Sequence, residues 1–133
     1  MLKPLLAFLF LLVHLYPNSA LQADIVDQLA TNFRLGNSKE IAKNFSSSIE
    51  LIIIDQEDVY SKAQAEQILK DFFIKNPPSK VAIIHQLNNT PFRLGILSMQ
   101  TKSGKFRVTI SMALKKPSNT FLITELRIEA DKE

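Results

Sequence analysis

The chain has 133 residues, 46% of them hydrophobic and 22% charged, with 16 basic residues against 13 acidic ones and a net charge of +3. That composition fits one folded domain with a single hydrophobic core, and the basic residues are too scattered for an interaction tail or a nucleic-acid partner. There is no cysteine, which excludes disulfides and a lipid-modified cysteine.

Residues 1–20 read as a secretory signal peptide. Lys3 supplies the early positive charge, Leu5 to Val13 is an unbroken apolar run, and Pro17, Asn18, Ser19 and Ala20 supply a break and small residues. The apolar run is shorter than the ~20 residues of a spanning helix, so no membrane span is expected after cleavage following Ala20 or Ala23. Export to the periplasm or beyond is therefore expected. Loss of Lys3 leaves fifteen basic residues against thirteen acids, a net charge of +2. Small exported domains often rely on disulfides; this one, expected as a single domain over 24–131, must rest on its core.

The first helix is expected over Asp24 to Leu35. Ile25, Val26, Leu29, Ala30 and Phe33 share one face, Asp24 is a candidate cap, Asp27 suits the first turn, and Gly36 is the stop. Ser38 is placed as the cap of a short second helix that turns Ile41, Ala42 and Phe45 inward. Ser46-Ser47-Ser48 reads as a loop, and the β-branched run Ile49 to Ile54 as a buried strand. Asp55-Gln56-Glu57-Asp58 reads as an acidic turn, with Val59-Tyr60 as a short returning strand. Ser61 and Gln64 then form a capping box for a helix ending at Asn76, before Pro77-Pro78. Ala65, Ile68, Leu69 and Phe72 make its buried stripe, and Glu66 and Lys70 an i,i+4 pair.

Four long strands follow, over Val81–Asn88, Phe92–Thr101, Lys105–Lys115 and Thr120–Glu129, separated by turn residues. Phe106, Val108, Ile110, Met112 and Leu114 alternate with Arg107, Thr109 and Ser111, so one face of the sheet is core. The inner face of the second and fourth strands stays open. Leu97 and Met99 compete with Leu94 and Ile96, and Phe121 and Ile123 compete with Leu122, Leu126 and Ile128. Gly95 reads as a bulge or bend. The fold class is α+β: three N-terminal helices packed in the concave face of a curved antiparallel sheet.

Several segments carry a resemblance. They are Val59-Tyr60-Ser61-Lys62-Ala63-Gln64-Ala65-Glu66, Leu69-Lys70-Asp71-Phe72-Phe73, Asn76-Pro77-Pro78, Gly104-Lys105-Phe106-Arg107-Val108 and Leu126-Arg127-Ile128-Glu129. With them the chain resembles the nuclear transport factor 2-like (cystatin-like cone) superfamily. More narrowly, it resembles a bacterial domain-of-unknown-function family of small exported proteins. The resemblance implies a cone of helices closed by a bent sheet and no particular activity, because the superfamily hosts isomerases, dehydratases, binding proteins and dimerisation modules.

Candidate chemistry is sparse. His85 is the one histidine left after signal removal, and simple alternation puts it with Val81, Ile83 and Leu87 on a face that could line the cone. There it could act as a general base; the plainer alternative is a core or edge histidine. Asp55, Glu57 and Asp58 are either a solvated turn or, through Asp55, a helper at the cone mouth. Tyr60 is either a pocket residue or the hydrophobic staple before Ser61. One histidine without cysteine argues against a transition-metal site, the acidic turn lacks the calcium-loop pattern, and no motif calls for a cofactor. Superfamily members often pair through the outer sheet face, which makes Arg107, Thr109, Ser111 and Ile123 interface candidates for a homodimer. The leading reading is a non-enzymatic module that binds a small ligand or a protein. The runner-up is a small lyase or isomerase with His85 as base.

Overall fold

The structure, a computed structural model, describes residues 24–132; the signal-peptide reading lies outside them. In chain order the elements are α1 (Ile25–Leu35), α2 (Ser38–Ala42), β1 (Phe45–Ile53), β2 (Gln56–Ser61), α3 (Lys62–Lys75), β3 (Pro78–Asn89), β4 (Phe92–Thr101), β5 (Gly104–Lys115) and β6 (Thr120–Ala130). The six strands form one sheet in the order β2-β1-β6-β5-β4-β3. The sheet is mixed where an antiparallel one was expected: β1 runs parallel to β6, and every other neighbouring pair is antiparallel.

Helix α1 forms because Val26, Leu29 and Phe33 recur at helical spacing and are fully buried. It stops where Gly36 takes φ 64, which lets Asn37 N–H reach back to the Asn32 carbonyl at 2.9 Å. The next cap is Asn37, whose side chain accepts from Glu40 N–H; Ser38 is instead the first, buried residue of α2. Helix α3 carries the full capping box between Ser61 and Gln64 and buries Ala65, Leu69, Phe72 and Phe73. Glu66 and Lys70 form no ion pair; the i,i+4 contact on this helix is Gln67 Nε2 to Asp71 Oδ1 at 3.3 Å.

Two local expectations give way to tertiary pairing. Ser46-Ser47-Ser48 is strand, extended between Phe45, which pairs with Ile123, and Ser48, which pairs with Ser61. The acidic segment is mostly strand β2, with only Ile54 and Asp55 left between β1 and β2. The third helix therefore follows a hairpin and is not contiguous with the first two.

Helices and sheet meet in one core. Edge-to-face aromatic contacts cross it: Phe33 to Phe73 at 5.8 Å between ring centroids, Phe73 to Phe72 at 6.0 Å, and Phe72 to Phe106 of β5 at 5.2 Å. Each such ring contributes about 1.5–3 kcal/mol through burial, and the chain of rings ties α1 to α3 and α3 to the sheet.

Candidate functional site

The concave side of the sheet is filled by side chains. Phe33, Phe45, Leu29, Ile41, Leu69 and Met99 are among the largest fully buried residues, and all belong to the same cluster. Tyr60 pairs with Ile49 and packs against this cluster immediately before the Ser61 cap.

Two single-residue irregularities decide what faces outward. In β3 the register shifts between Ile83 and His85, so that Ile83 pairs with Leu97 but His85 pairs with Ile96. Directly opposed residues project to the same face, and Leu97 is core. His85 is thus exposed on the outer face, away from the cone interior that a buried base would require. In β6 the register shifts at Thr124, whose hydroxyl donates to Ser111 O at 3.3 Å. Glu125 pairs with Ser111 on the outer face, while Ile123 pairs with Met112 and is fully buried. Ile123 is therefore a core residue and not an interface candidate; Arg107, Thr109 and Ser111 do face outward. Strand β4 carries no shift against β5, so Leu97 and Met99 are inside and Leu94 and Ile96 outside.

Among the described residues no helix covers the outer face, which has two zones. On β3, β4, β5 and β6 the register places Leu87 opposite Leu94, and Phe92 opposite Ala113, itself opposite Leu122; Ile96 lies on the same face. Phe92 is 63% and Leu87 54% exposed. Beside them is a hollow of about 230 Å³ lined by Leu87, Phe92, Leu94, Ser111 and Thr124, among others. Part of the signal for this patch was in the sequence as Leu94 and Ile96, which competed with Leu97 and Met99 for the core.

The second zone, on β2, β1 and β6, is charged. Arg127 Nε lies 3.6 Å from both Glu125 and Glu129. The Glu50 carboxyl is raised above its ordinary range, first by a hydrogen bond with Glu57, then by desolvation and the nearby negative charges of Glu125 and Glu57. A raised carboxyl contributes its full stability below its unfolded pKa and loses it as pH rises through the folded value. Glu50→Gln is therefore expected to raise the melting temperature at pH 7 and to lose that advantage in acid. Thermal melts at both pH values check this, and an equal effect at both would contradict it.

A separate cleft of about 490 Å³ lies between the β1–β2 turn and the C-terminal half of α3. Asp55 lines it, with Ile53, Ile54 and Gln56 from the turn and Ile68, Asp71, Phe72, Lys75 and Asn76 from the helix. Asp55 and His85 thus lie on different faces of the domain and form no acid–base pair. Among the described residues no group of three or more His, Cys, Asp or Glu could hold a metal ion, and no helix is long and apolar enough to cross a membrane.

The family described as "Domain of unknown function (DUF4783)" matches residues 26–129. A DUF4783 family protein from Bacteroides ovatus is 27% identical, with 79% of this chain and 94% of that chain covered and a TM-score of 0.74. A DUF4783 family protein from Bacteroides uniformis, 24% identical, covers 83% of this chain and 100% of its own at a TM-score of 0.78. An NTF-2 like protein of unknown function from Silicibacter pomeroyi, 10% identical, shares the fold at a TM-score of 0.59, over 80% of this chain and 89% of that one. No curated protein matches the chain. With the match spanning nearly all of the described residues, the chain belongs to the DUF4783 family and has a nuclear transport factor 2-like fold.

Proposed function

We propose that the domain is a non-enzymatic interaction module that pairs with a second copy of itself through the outer sheet face, and that it does so outside the cytoplasm, where the first twenty residues would direct it. The observation that carries the reading is the contiguous apolar patch of Leu87, Phe92, Leu94, Ile96, Ala113 and Leu122 on a sheet face that none of the described helices covers. The filled concave side favours this over a ligand-binding cone.

A second copy is the occupant because the patch offers both halves of a self-complementary contact. The projecting Phe92 ring stands beside a hollow of about 230 Å³, and a two-fold axis near the patch carries each ring toward the partner's hollow. Glu50, Glu57 and Glu125 then remain at the rim in water, where like charges cost least. Ser111 lines the hollow, and Arg107 and Thr109 flank the contact.

Phe92 is exposed, so Phe92→Asp leaves the fold intact while placing a charge at the centre of the contact. Sedimentation equilibrium is expected to give a dimer for the mature chain and at least a ~100-fold weaker association for Phe92→Asp. A wild-type chain that stays monomeric into the ~100 μM range overturns self-pairing.

A further inference from the structure

The geometry points to the cleft between the β1–β2 turn and α3 as a binding site for a small apolar ammonium compound, a primary alkylamine in its simplest form. This is independent of pairing through the sheet face, which lies on other residues.

The first observation is an isoleucine where the backbone conformation favours glycine. Ile54 sits at the first position of the two-residue turn with φ 58. A β-branched side chain is among the costliest occupants of that left-handed region, where glycine or asparagine would sit with little strain. The backbone has a purpose there, since Ile54 N–H donates to Ile128 O at 2.8 Å and prolongs the β1–β6 pairing. A glycine would make the same bond. The side chain gains little from the core, being 49% exposed, but it lines the cleft. A strained apolar side chain left on the wall of a cleft suggests that something else covers it.

The second observation is the cleft's chemistry. Ile53, Ile68 and Phe72 give it an apolar floor, and its ~490 Å³ falls within the range of small-molecule sites. Its charged groups are Asp55 from the turn and Asp71 and Lys75 from α3. Asp71 and Lys75 have the i,i+4 spacing at which acid and base usually close on each other, yet they form no ion pair here, and Asp71 instead accepts from Gln67. Helix α3 also ends at this cleft, adding the negative end of its dipole at Asn76. Two carboxylates and a helix C-terminus outweigh one lysine, so the complementary ligand is a cation with an apolar body.

The test is a titration of n-hexylamine and of hexanoate, which share a chain and differ in the sign of the head group, into the isotopically labelled domain at neutral pH. Isoleucine methyl and backbone amide shifts report the site. Hexylamine is expected to saturate shifts at Ile54, Ile68 and Asp71 with at least ~10-fold higher affinity than hexanoate. Ile54→Gly keeps the turn in the conformation glycine prefers, so it is expected to melt no lower than wild type while binding hexylamine about fivefold more weakly. Asp71→Asn is expected to weaken hexylamine and leave hexanoate unchanged or tighter. Equal binding of the two probes, shifts that do not saturate or that centre elsewhere, or an Ile54→Gly variant that melts lower or binds as wild type would each overturn the assignment.

Discussion

Asp24→Asn is expected to destabilise the domain by about 2–3 kcal/mol at neutral pH, well beyond the usual worth of a surface ion pair. Arg93 projects from the inner side of β4, opposite Met112, and its side chain is only 10% exposed. Its two terminal nitrogens donate to the two Asp24 carboxylate oxygens at 2.7 and 2.6 Å, and the guanidinium lies 5.6 Å from the centre of the Phe121 ring. Its Nε is buried without an acceptor, so the pair is already short of one bond. Removing the carboxylate charge leaves a nearly buried cation without its counter-ion. Breaking a fully buried pair from one side costs about 3–5 kcal/mol; the 43% exposure of Asp24 lets water recover part of that.

Arg93→Met tests the asymmetry. It removes the cation and the unsatisfied Nε together and leaves an aspartate that water can reach, so its cost should stay near 1 kcal/mol. The double variant should then be more stable than Asp24→Asn. Urea denaturation of the three variants decides: a loss below about 0.5 kcal/mol for Asp24→Asn would mean an ordinary surface contact. The pH dependence has a definite sign. The hydrogen bond from Arg93, aided by its charge and opposed by desolvation, holds the Asp24 carboxyl below the ordinary aspartate range. Such a group contributes stability that is complete above the unfolded value near ~3.9 and is lost as pH falls through the lower folded value. The gap between wild type and Asp24→Asn should therefore be constant from neutral pH to about pH 5 and close in stronger acid.

This pair also marks a limit of sequence reading. Asp24 has the identity and position of a helix cap, but its side chain makes no cap bond and turns to Arg93, 69 residues away. Helix periodicity located α1 and α3, and alternation located β5, because those signals are local; the core takes up most of each expected face, but leaves out Leu114 and adds Phe73. Alternation failed for His85 and Ile123 for one shared reason. The extra residue between Ile83 and His85 in β3, and the one between Ile123 and Glu125 in β6, each invert the parity of the strand beyond it, and nothing in a lone sequence announces where a strand bulges. The acidic segment was legible as acidic but not as strand, since its pairing with β1 is decided by partners on the neighbouring strand. The outer patch was half legible: Leu94 and Ile96 stood as rivals for the core, and only the register shows that they lost.

Gly95→Val is expected to cost about 3 kcal/mol or more, and the loss should be largely relieved by a second substitution at Val26. Gly95 pairs with Ile110 and Gln86 without a break against β5, so it marks no bulge in its own strand. Its role is contact. A Cβ added there would lie 3.2 Å from one Val26 methyl and 3.5 Å from the other. Val26 cannot give way easily, being fully buried and held by its helix to essentially one χ1 rotamer. Even Gly95→Ala, which would gain up to about 1 kcal/mol by restricting the unfolded chain, should come out destabilising by about 1 kcal/mol. In a Val26→Ala background both offending methyls are gone, and Gly95→Ala should become neutral or stabilising. Strict additivity of the two single effects would show that the helix seats on something else. The same geometry links this site to the first. Val26 and Asp24 start α1, and Gly95 and Arg93 are alternate residues of β4, so lifting the helix off Gly95 draws Asp24 away from Arg93. Gly95→Val should therefore also erase most of the acid-dependent difference made by Asp24→Asn, an outcome that a purely local clash would not produce.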